Sequence, residues 1–169
     1  MRQIYNISML GSLFRKMTNK LPSQSLGTLF SMYAPFIGAG IKIKYIAKDF
    51  SRVEVEMPLT WYNGNYVGTH FGGSLYAMTD PFYMFMIMNR LGREYIVWDK
   101  GANIRFRKPG KGRVKAIFEL TDTEFEEIKR KVDEQGKFDF IKSVEVLNND
   151  GEVVAEVEKT IYLKRKDLA

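Results

Sequence analysis

Apolar and polar residues alternate with a period of two in several stretches of this chain, the pattern of strands buried on one face. Ile41, Ile43 and Tyr45 alternate with Lys42 and Lys44, and Val53, Val55 and Met57 alternate with Glu54 and Glu56. The alternation returns at Ala102, Ile104 and Phe106 against Asn103, Arg105 and Arg107, and at Val114, Ala116, Phe118 and Leu120 against Lys115 and Glu119. Pro109-Gly110-Lys111-Gly112 is the turn between those two strands. Two last strands are predicted near Phe138 to Leu147 and Glu152 to Lys164, joined by the hairpin-like Asn148-Asn149-Asp150-Gly151. Between the second and third strands lies the longest apolar segment, Leu75 to Leu91, interrupted by Asp80, Pro81, Asn89 and Arg90. It falls short of the roughly 20 apolar residues that span a bilayer and reads as a buried helix. The prediction is an α+β domain, an antiparallel sheet around a central buried helix.

Two further regions are helical in pattern. Thr123 to Val132 places Phe125, Ile128 and Val132 on one face, with Glu126–Arg130 and Glu127–Lys131 pairs opposite, as in an amphipathic surface helix. Leu10 to Phe36 carries scattered apolar residues broken by Pro22 and Pro35, which predicts two short helices packing on the sheet or covering a site mouth. Met1 to Leu13 lacks a long apolar run followed by a small-residue cleavage site and reads as a helical lead-in. The whole is predicted as one domain, residues 1–38 an N-terminal helical extension and residues 39–165 the core.

Composition narrows the chemistry. The 169 residues suit one domain with a substantial core. With no cysteine, disulfides, thiolate nucleophiles and Cys-based zinc sites are excluded; with His70 the only imidazole, so is a multi-histidine metal site, and no metal is expected. The lack of cysteine is compatible with a cytoplasmic location, which is the expectation. The net charge of +6 suggests an anionic partner. No recognised nucleic-acid motif accompanies it, so no nucleic acid is expected.

The densest chemistry lies in residues 65–80, which run Asn-Tyr-Val-Gly-Thr-His-Phe-Gly-Gly-Ser-Leu-Tyr-Ala-Met-Thr-Asp. Gly72 and Gly73 have no Cβ, so the backbone can turn sharply and a ligand atom can approach their amides. A helix starting there aims unpaired N–H groups and the positive end of its dipole at such a ligand. A carbonyl bound there would be polarised, and the oxyanion formed on attack stabilised, with the Gly73 amide as donor. On one continuous helix Asp80 lies two turns on, about 10 Å from Gly73.

The segment resembles the signature of the hotdog thioesterase superfamily, in which a polar residue and a glycine precede a Gly-Gly pair and a carboxylate follows two turns later. Within it, the run Gly68-Thr69-His70-Phe71-Gly72-Gly73-Ser74-Leu75 looks closest to the DUF4442 branch and its thioesterase-like neighbours. The resemblance covers residues 41–163 and implies a hotdog fold with extra N-terminal helices, an acyl-CoA or acyl-carrier thioester as substrate, and no cofactor beyond coenzyme A as part of that substrate. It also implies a homodimer or higher homo-oligomer in which Asp80 serves the site of the other subunit. One departure is that Phe71 separates His70 from the glycine pair, where many members have histidine directly before it.

Each candidate has a structural reading beside the functional one. Asp80, followed by Pro81, has the look of a helix cap, or of a general base or nucleophile whose pKa burial would raise. His70 is either a water-orienting base or a loop histidine bonded to backbone. Asn65 holds a water or the carbonyl, or is the turn residue of Asn63-Gly64-Asn65. Ser74 lies outside any triad or nucleophile-elbow spacing, and counts with Phe71 and Gly72 among substrate-binding candidates. Arg105, Arg107 and Lys108, with Lys111, either hold coenzyme A phosphates or guard a sheet edge. Met78, Met84, Met86 and Met88 either fill core gaps or wall an acyl chain. Thioester hydrolysis is the preferred reading, with a non-catalytic acyl-binding module or an acyl-thioester hydratase or dehydratase as alternatives.

Overall fold

The structure, a computed structural model, describes residues 23–167. Two short helices, α1 (Ser23–Ser31) and α2 (Ala34–Ala39), precede strands β1 (Lys42–Ile46) and β2 (Arg52–Pro58). Helices α3 (Gly72–Ala77) and α4 (Phe82–Leu91) follow, then β3 (Tyr95–Phe106), β4 (Arg113–Glu119), α5 (Asp122–Gln135), β5 (Lys137–Leu147) and β6 (Val153–Arg165). The six strands form one sheet in the order β1-β2-β4-β5-β6-β3, every neighbouring pair antiparallel. This is the α+β arrangement the alternation predicts. The helical reading of residues before Ser23 lies outside the described residues.

The core forms where the inward faces of the strands meet α4. Val53, Val55 and Met57 of β2 and Val114, Ala116 and Phe118 of β4 are all buried, in strict alternation. Phe82, Tyr83, Met86, Ile87 and Leu91 give α4 its buried face, and the Phe118 ring packs 4.9 Å from Phe82 and 5.2 Å from Tyr83. Tyr83 donates its hydroxyl hydrogen bond to the Ser143 carbonyl at 3.0 Å, so this aromatic enters the core with its polar end satisfied. Ser31 fixes α1 to β1: its hydroxyl accepts from the Ile43 amide at 2.8 Å and donates to the Gly27 carbonyl at 2.7 Å.

The amphipathic segment after β4 is α5, begun by a capping box in which the Thr121 hydroxyl accepts from the Glu124 amide and the Glu124 carboxylate accepts from the Thr121 amide. At the hairpin between β5 and β6, the Asn148 side chain accepts from the amides of Asp150 and Glu152, and Gly151 takes a φ of +79°.

Two expectations change. The apolar segment from Leu75 to Leu91 is two helices, because α3 closes in a turn at Tyr76–Thr79 and proline disfavours helical geometry in the residue before it. Strand β3 also starts at Tyr95, ahead of the alternating stretch that begins at Ala102. Its register slips between Asp99 and Gly101, leaving Lys100 as an extra residue. Val97 and Asp99 lie opposite the buried Leu163 and Ile161 before the bulge, and Ala102, Ile104 and Phe106 opposite the buried Lys159, Val157 and Ala155 after it. The inward face switches from odd to even numbers within one strand, which hides its first half from a period-two reading.

Phe118→Ala is expected to cost about 3–5 kcal/mol, the range for emptying a buried aromatic position. Thr121→Ala, which removes only the cap, is expected to cost about 1 kcal/mol. Urea unfolding of the two variants beside the parent checks both values and their order.

Candidate functional site

The interruption of the helix between α3 and α4 puts Asp80 beside β6 and β3. Lys159 of β6 stands in the inward series Val157, Lys159, Ile161, Leu163, and its side chain is only 1% exposed. Its ammonium donates to Asp80 Oδ1 at 2.8 Å and to the Tyr76 hydroxyl at 3.3 Å, and lies 3.1 Å from Asp99 Oδ1. Tyr76 belongs to α3 and also presents its ring to the ammonium, with the centroid 5.0 Å away. The four side chains therefore join α3, the helix break, β3 and β6. Asp80 does not cap α4, whose N-terminal residue Pro81 makes no side-chain capping bond.

The two carboxylates differ in exposure and in proton affinity. Asp80 keeps 42% of its side chain open, whereas Asp99 keeps 18% and both its oxygens are shut off from solvent without a directed hydrogen bond. Burial, and then the neighbouring Asp80 carboxylate, push Asp99 up to about 6 against the partly compensating charge of Lys159. Burial also works against ionised Asp80, but the bonds from Asp99 and Lys159 outweigh it and hold that carboxylate below its ordinary value. One ammonium between two acids cannot neutralise both, so the pair acts as a unit whose first added proton goes to the buried member. Lys159 stays charged, its own pKa raised because the two carboxylates outweigh the cost of burial.

The other predicted site residues gather at the opposite end of α3. Asn65, His70, Gly72, Arg107 and Lys108, with Lys111, line a cavity of about 670 Å³ that does not include Asp80. His70 is buried there; its Nε2 donates to the Gly112 carbonyl at 2.9 Å, and its Nδ1 has no partner. Burial holds its pKa below the usual 6.5 despite the Gly112 bond, which keeps the ring neutral near pH 7. Asn65 spends its amide within its own loop, donating to the Thr69 hydroxyl and the His70 carbonyl and accepting from the amides of Val67 and Thr69. These bonds shape the approach to Gly72 and Gly73, the first residues of α3. Gly72 abuts the Phe106 ring, and a Cβ on Gly73 would stand 2.4 Å from the ring of Phe71, which packs against that residue. Ser74 continues the first turn with its amide on the Phe71 carbonyl.

The basic cluster divides. Arg107 pairs with Glu156 at 2.6 Å and Lys108 with Glu152 at 2.5 Å, both exposed. Arg105 lies opposite Glu156 and lines a second depression with Asn103, Ser143, Glu156 and Glu158, so the carboxylate that pairs with Arg107 also faces Arg105. The methionines divide as well, Met78 and Met86 being fully buried in the core and Met84 only partly so.

Lys159, Asp99 and Tyr76 were not among the sequence candidates. A lysine in the inward register of Val157, Ile161 and Leu163 was the readable signal for the first. Asp99 was hidden by the bulge beside it.

A six-stranded antiparallel sheet in this order, wrapped around a central helix, defines a hotdog fold. The chain is similar in structure to PA5026 from Pseudomonas aeruginosa, described as a protein of unknown function and probable thioesterase, at 21% identity over 86% of this chain and 97% of that one, with a TM-score of 0.75. It is also similar to the thioesterase HI1161 from Haemophilus influenzae, at 14% identity over 86% and 92% of the two chains and a TM-score of 0.62. A third similar structure is the PaaI protein from the phenylacetic acid degradation operon of E. coli, at 18% identity over 82% and 88%, with a TM-score of 0.57. At these identities the likeness is one of fold. Residues 23–163 match the model of the DUF4442 family, a domain of unknown function, and the chain belongs to that family. No curated protein matches the chain. No helix among the described residues is long and apolar enough to cross a membrane.

The buried cluster has a pH signature. An acid whose folded-state pKa lies above its unfolded value contributes stability that is complete below the unfolded pKa, 3.8 for Asp99, and is lost as pH rises through about 6. Asn at this position carries no titrating proton, so Asp99→Asn is expected to gain stability relative to the parent between pH 5 and pH 8, on the order of 1 kcal/mol or more. Lys159→Met, which leaves two carboxylates without their counter-ion, is expected to lose about 3–5 kcal/mol near neutral pH. Urea unfolding at both pH values tests this, and an Asp99→Asn difference that does not change with pH would contradict the assignment.

Proposed function

We propose that this protein hydrolyses an acyl thioester, either an acyl-CoA or an acyl-carrier thioester, by water attack, with Asp80 as the catalytic carboxylate. The observation that carries this reading is the partly exposed Asp80 carboxylate, anchored to a fully buried lysine 2.8 Å away at the break in the central helix. Burying a charged lysine is costly unless its partners do work or hold structure. Here one partner faces solvent. The hotdog fold and the thioesterases among the similar structures support the same substrate class.

In the proposed reaction Asp80 orients a water against the thioester carbonyl, and the Asp80–Asp99 pair takes up the proton as the C–O bond forms. A carboxylate held below its ordinary pKa is by itself a weak base, and the proton affinity of Asp99 supplies what Asp80 lacks. The tetrahedral oxyanion is assigned to the Gly73 amide, freed by movement of the Phe71 ring. Collapse breaks the C–S bond, and the pair returns its proton to the leaving sulfur, giving a carboxylic acid and a thiol. Lys159 keeps Asp80 ionised and oriented. The cavity at Gly72, Lys108 and Lys111 is assigned to the carrier end of the substrate, where phosphates would compete with Glu152 for Lys108. Because Gly73 and Asp80 lie at opposite ends of α3, a homodimer in which each chain completes the other's site is part of the proposal.

A hydratase needs an imidazole beside the carboxylate, and the His70 ring is already committed to Gly112. Hydrolysis is the better fit.

Thiol release from short, medium, long and aromatic acyl-CoAs is the test. The parent should release thiol, with kcat/KM falling as pH drops through about 6, the value that protonates the pair. Asp80→Asn should lose at least about a hundredfold, the lower range for a general base, and Asp99→Asn should move the acid limb to lower pH. Tight acyl-CoA binding without release would instead indicate a non-catalytic binding module.

A further inference from the structure

The positive charge of this chain is unevenly distributed. Among the described residues before Asp49 the only charged side chains are Lys42, Lys44 and Lys48, and from Met57 to Thr79 there is no aspartate, glutamate, lysine or arginine at all. These two stretches meet in the fold, because the Asn63 side chain donates to the Ala39 carbonyl at 2.9 Å and to the Pro58 carbonyl at 2.8 Å. Tyr62, Ile37, Lys42 and Lys44 share the walls of one depression of about 600 Å³.

Large apolar side chains point outward on this face. Trp61 is 95% exposed, its ring 5.6 Å from that of Tyr62, which shares the depression with Met32 and Ile37; Met32, Tyr33 and Ile37 are exposed on and next to α2, and Tyr66 is exposed further along the loop. Isolated exposed apolar residues are ordinary, but a contiguous patch rimmed by lysines marks an interaction surface. Lys42 lies opposite Glu56 across the sheet, but that carboxylate is engaged by Arg113 at 3.2 Å. Met32 and Tyr33 also line a second cavity of about 550 Å³, with no charged residue in its walls, floored by Pro81, Phe82 and Phe85.

We propose that the face formed by α2, the Trp61–Tyr66 loop and Lys42 and Lys44 of β1 docks the protein on an anionic lipid surface. Tryptophan and tyrosine favour the depth of lipid headgroups, and each lysine near an anionic bilayer contributes about 1 kcal/mol. The charge pattern separates this occupant from a second copy of the chain. Two-fold self-docking would set this basic face against its own copy, where the acid nearest Lys42, Glu56, is already engaged by Arg113. The apolar cavity beside Met32 and Tyr33 then lies next to the lipid, where an acyl chain could enter it. The docking does not depend on the hydrolytic reading.

The test uses the full chain carrying Trp98→Phe, so that Trp61 is its one tryptophan. Trp61 emission should shift to the blue with vesicles mixing phosphatidylcholine and phosphatidylglycerol, should not shift with phosphatidylcholine alone, and should weaken in high salt. In vesicle sedimentation, Trp61→Ala with Tyr66→Ala, and separately Lys42→Glu with Lys44→Glu, should each lower the partition constant at least about tenfold, with the far-ultraviolet circular dichroism unchanged. Undiminished vesicle binding by both variants would overturn the proposal. So would a blue shift that follows protein concentration without lipid, which would mean that a second copy covers the face.

Discussion

The buried ammonium of Lys159 is the constraint around which the functional half of this molecule is arranged. An ammonium without its water shell is tolerated only where fixed oxygens replace that shell, and here they come from Tyr76 on α3, Asp80 after it and Asp99 on β3. None of these elements is adjacent to β6 in sequence. The ion therefore ties the end of α3 to the far edge of the sheet more specifically than apolar packing would, since apolar contacts slide and a paired charge does not. It also sets the character of each acid, so that one carboxylate faces solvent and stays ionised while the other is the first to take up a proton as the pH falls.

Much of the architecture was legible because it rests on periodicity. Val53, Val55 and Met57 are buried as their alternation requires, and the same holds for Val114, Ala116 and Phe118 and for the helical face of Phe125, Ile128 and Val132. What escaped is what breaks a period. The bulge at Lys100 reverses the parity of β3, and Pro81 divides the apolar segment that reads as one helix. The candidate site was legible where glycine and an apolar segment bracket a carboxylate, which is how Asp80 and Gly73 stand out. It was not legible where partners come from distant strands, because no spacing links residues 80, 99 and 159. His70 and Asn65 show the complementary difficulty. Both carry chemistry, yet their side chains are committed to the loop at Gly112 and Thr69, a commitment visible only in three dimensions.

The two ends of α3 meet different surroundings. Its first turn opens, with Gly72 and Gly73, on a cavity edged by Lys108 and Lys111, while its last turn carries Tyr76 to the ion cluster. The loop that delivers the chain to this helix is the one that displays Trp61 and Tyr66 to solvent. The proposed docking loop, the glycine-lined cavity and the proposed catalytic carboxylate thus fall within a stretch of twenty residues, from Trp61 to Asp80.

The bulge in β3 works as a frameshift in side-chain space. Were Lys100 paired in regular register with no bulge, a strand that keeps Asp99 inward would carry Asn103 and Arg105 into the core face and turn Ile104 out. A strand that keeps Ile104 inward would send Asp99 to solvent and place Trp98 against the sheet's interior. Straightening the bulge with Lys100 retained would therefore cost more than the loss of any single side chain, because it forces the chain to give up either its core or its buried acid, whereas removing Lys100 itself would leave Asp99 and Ile104 on one face. The hydrophobic interior and the chemistry are written in two different phases, and this fold reads both only because the strand changes phase between them.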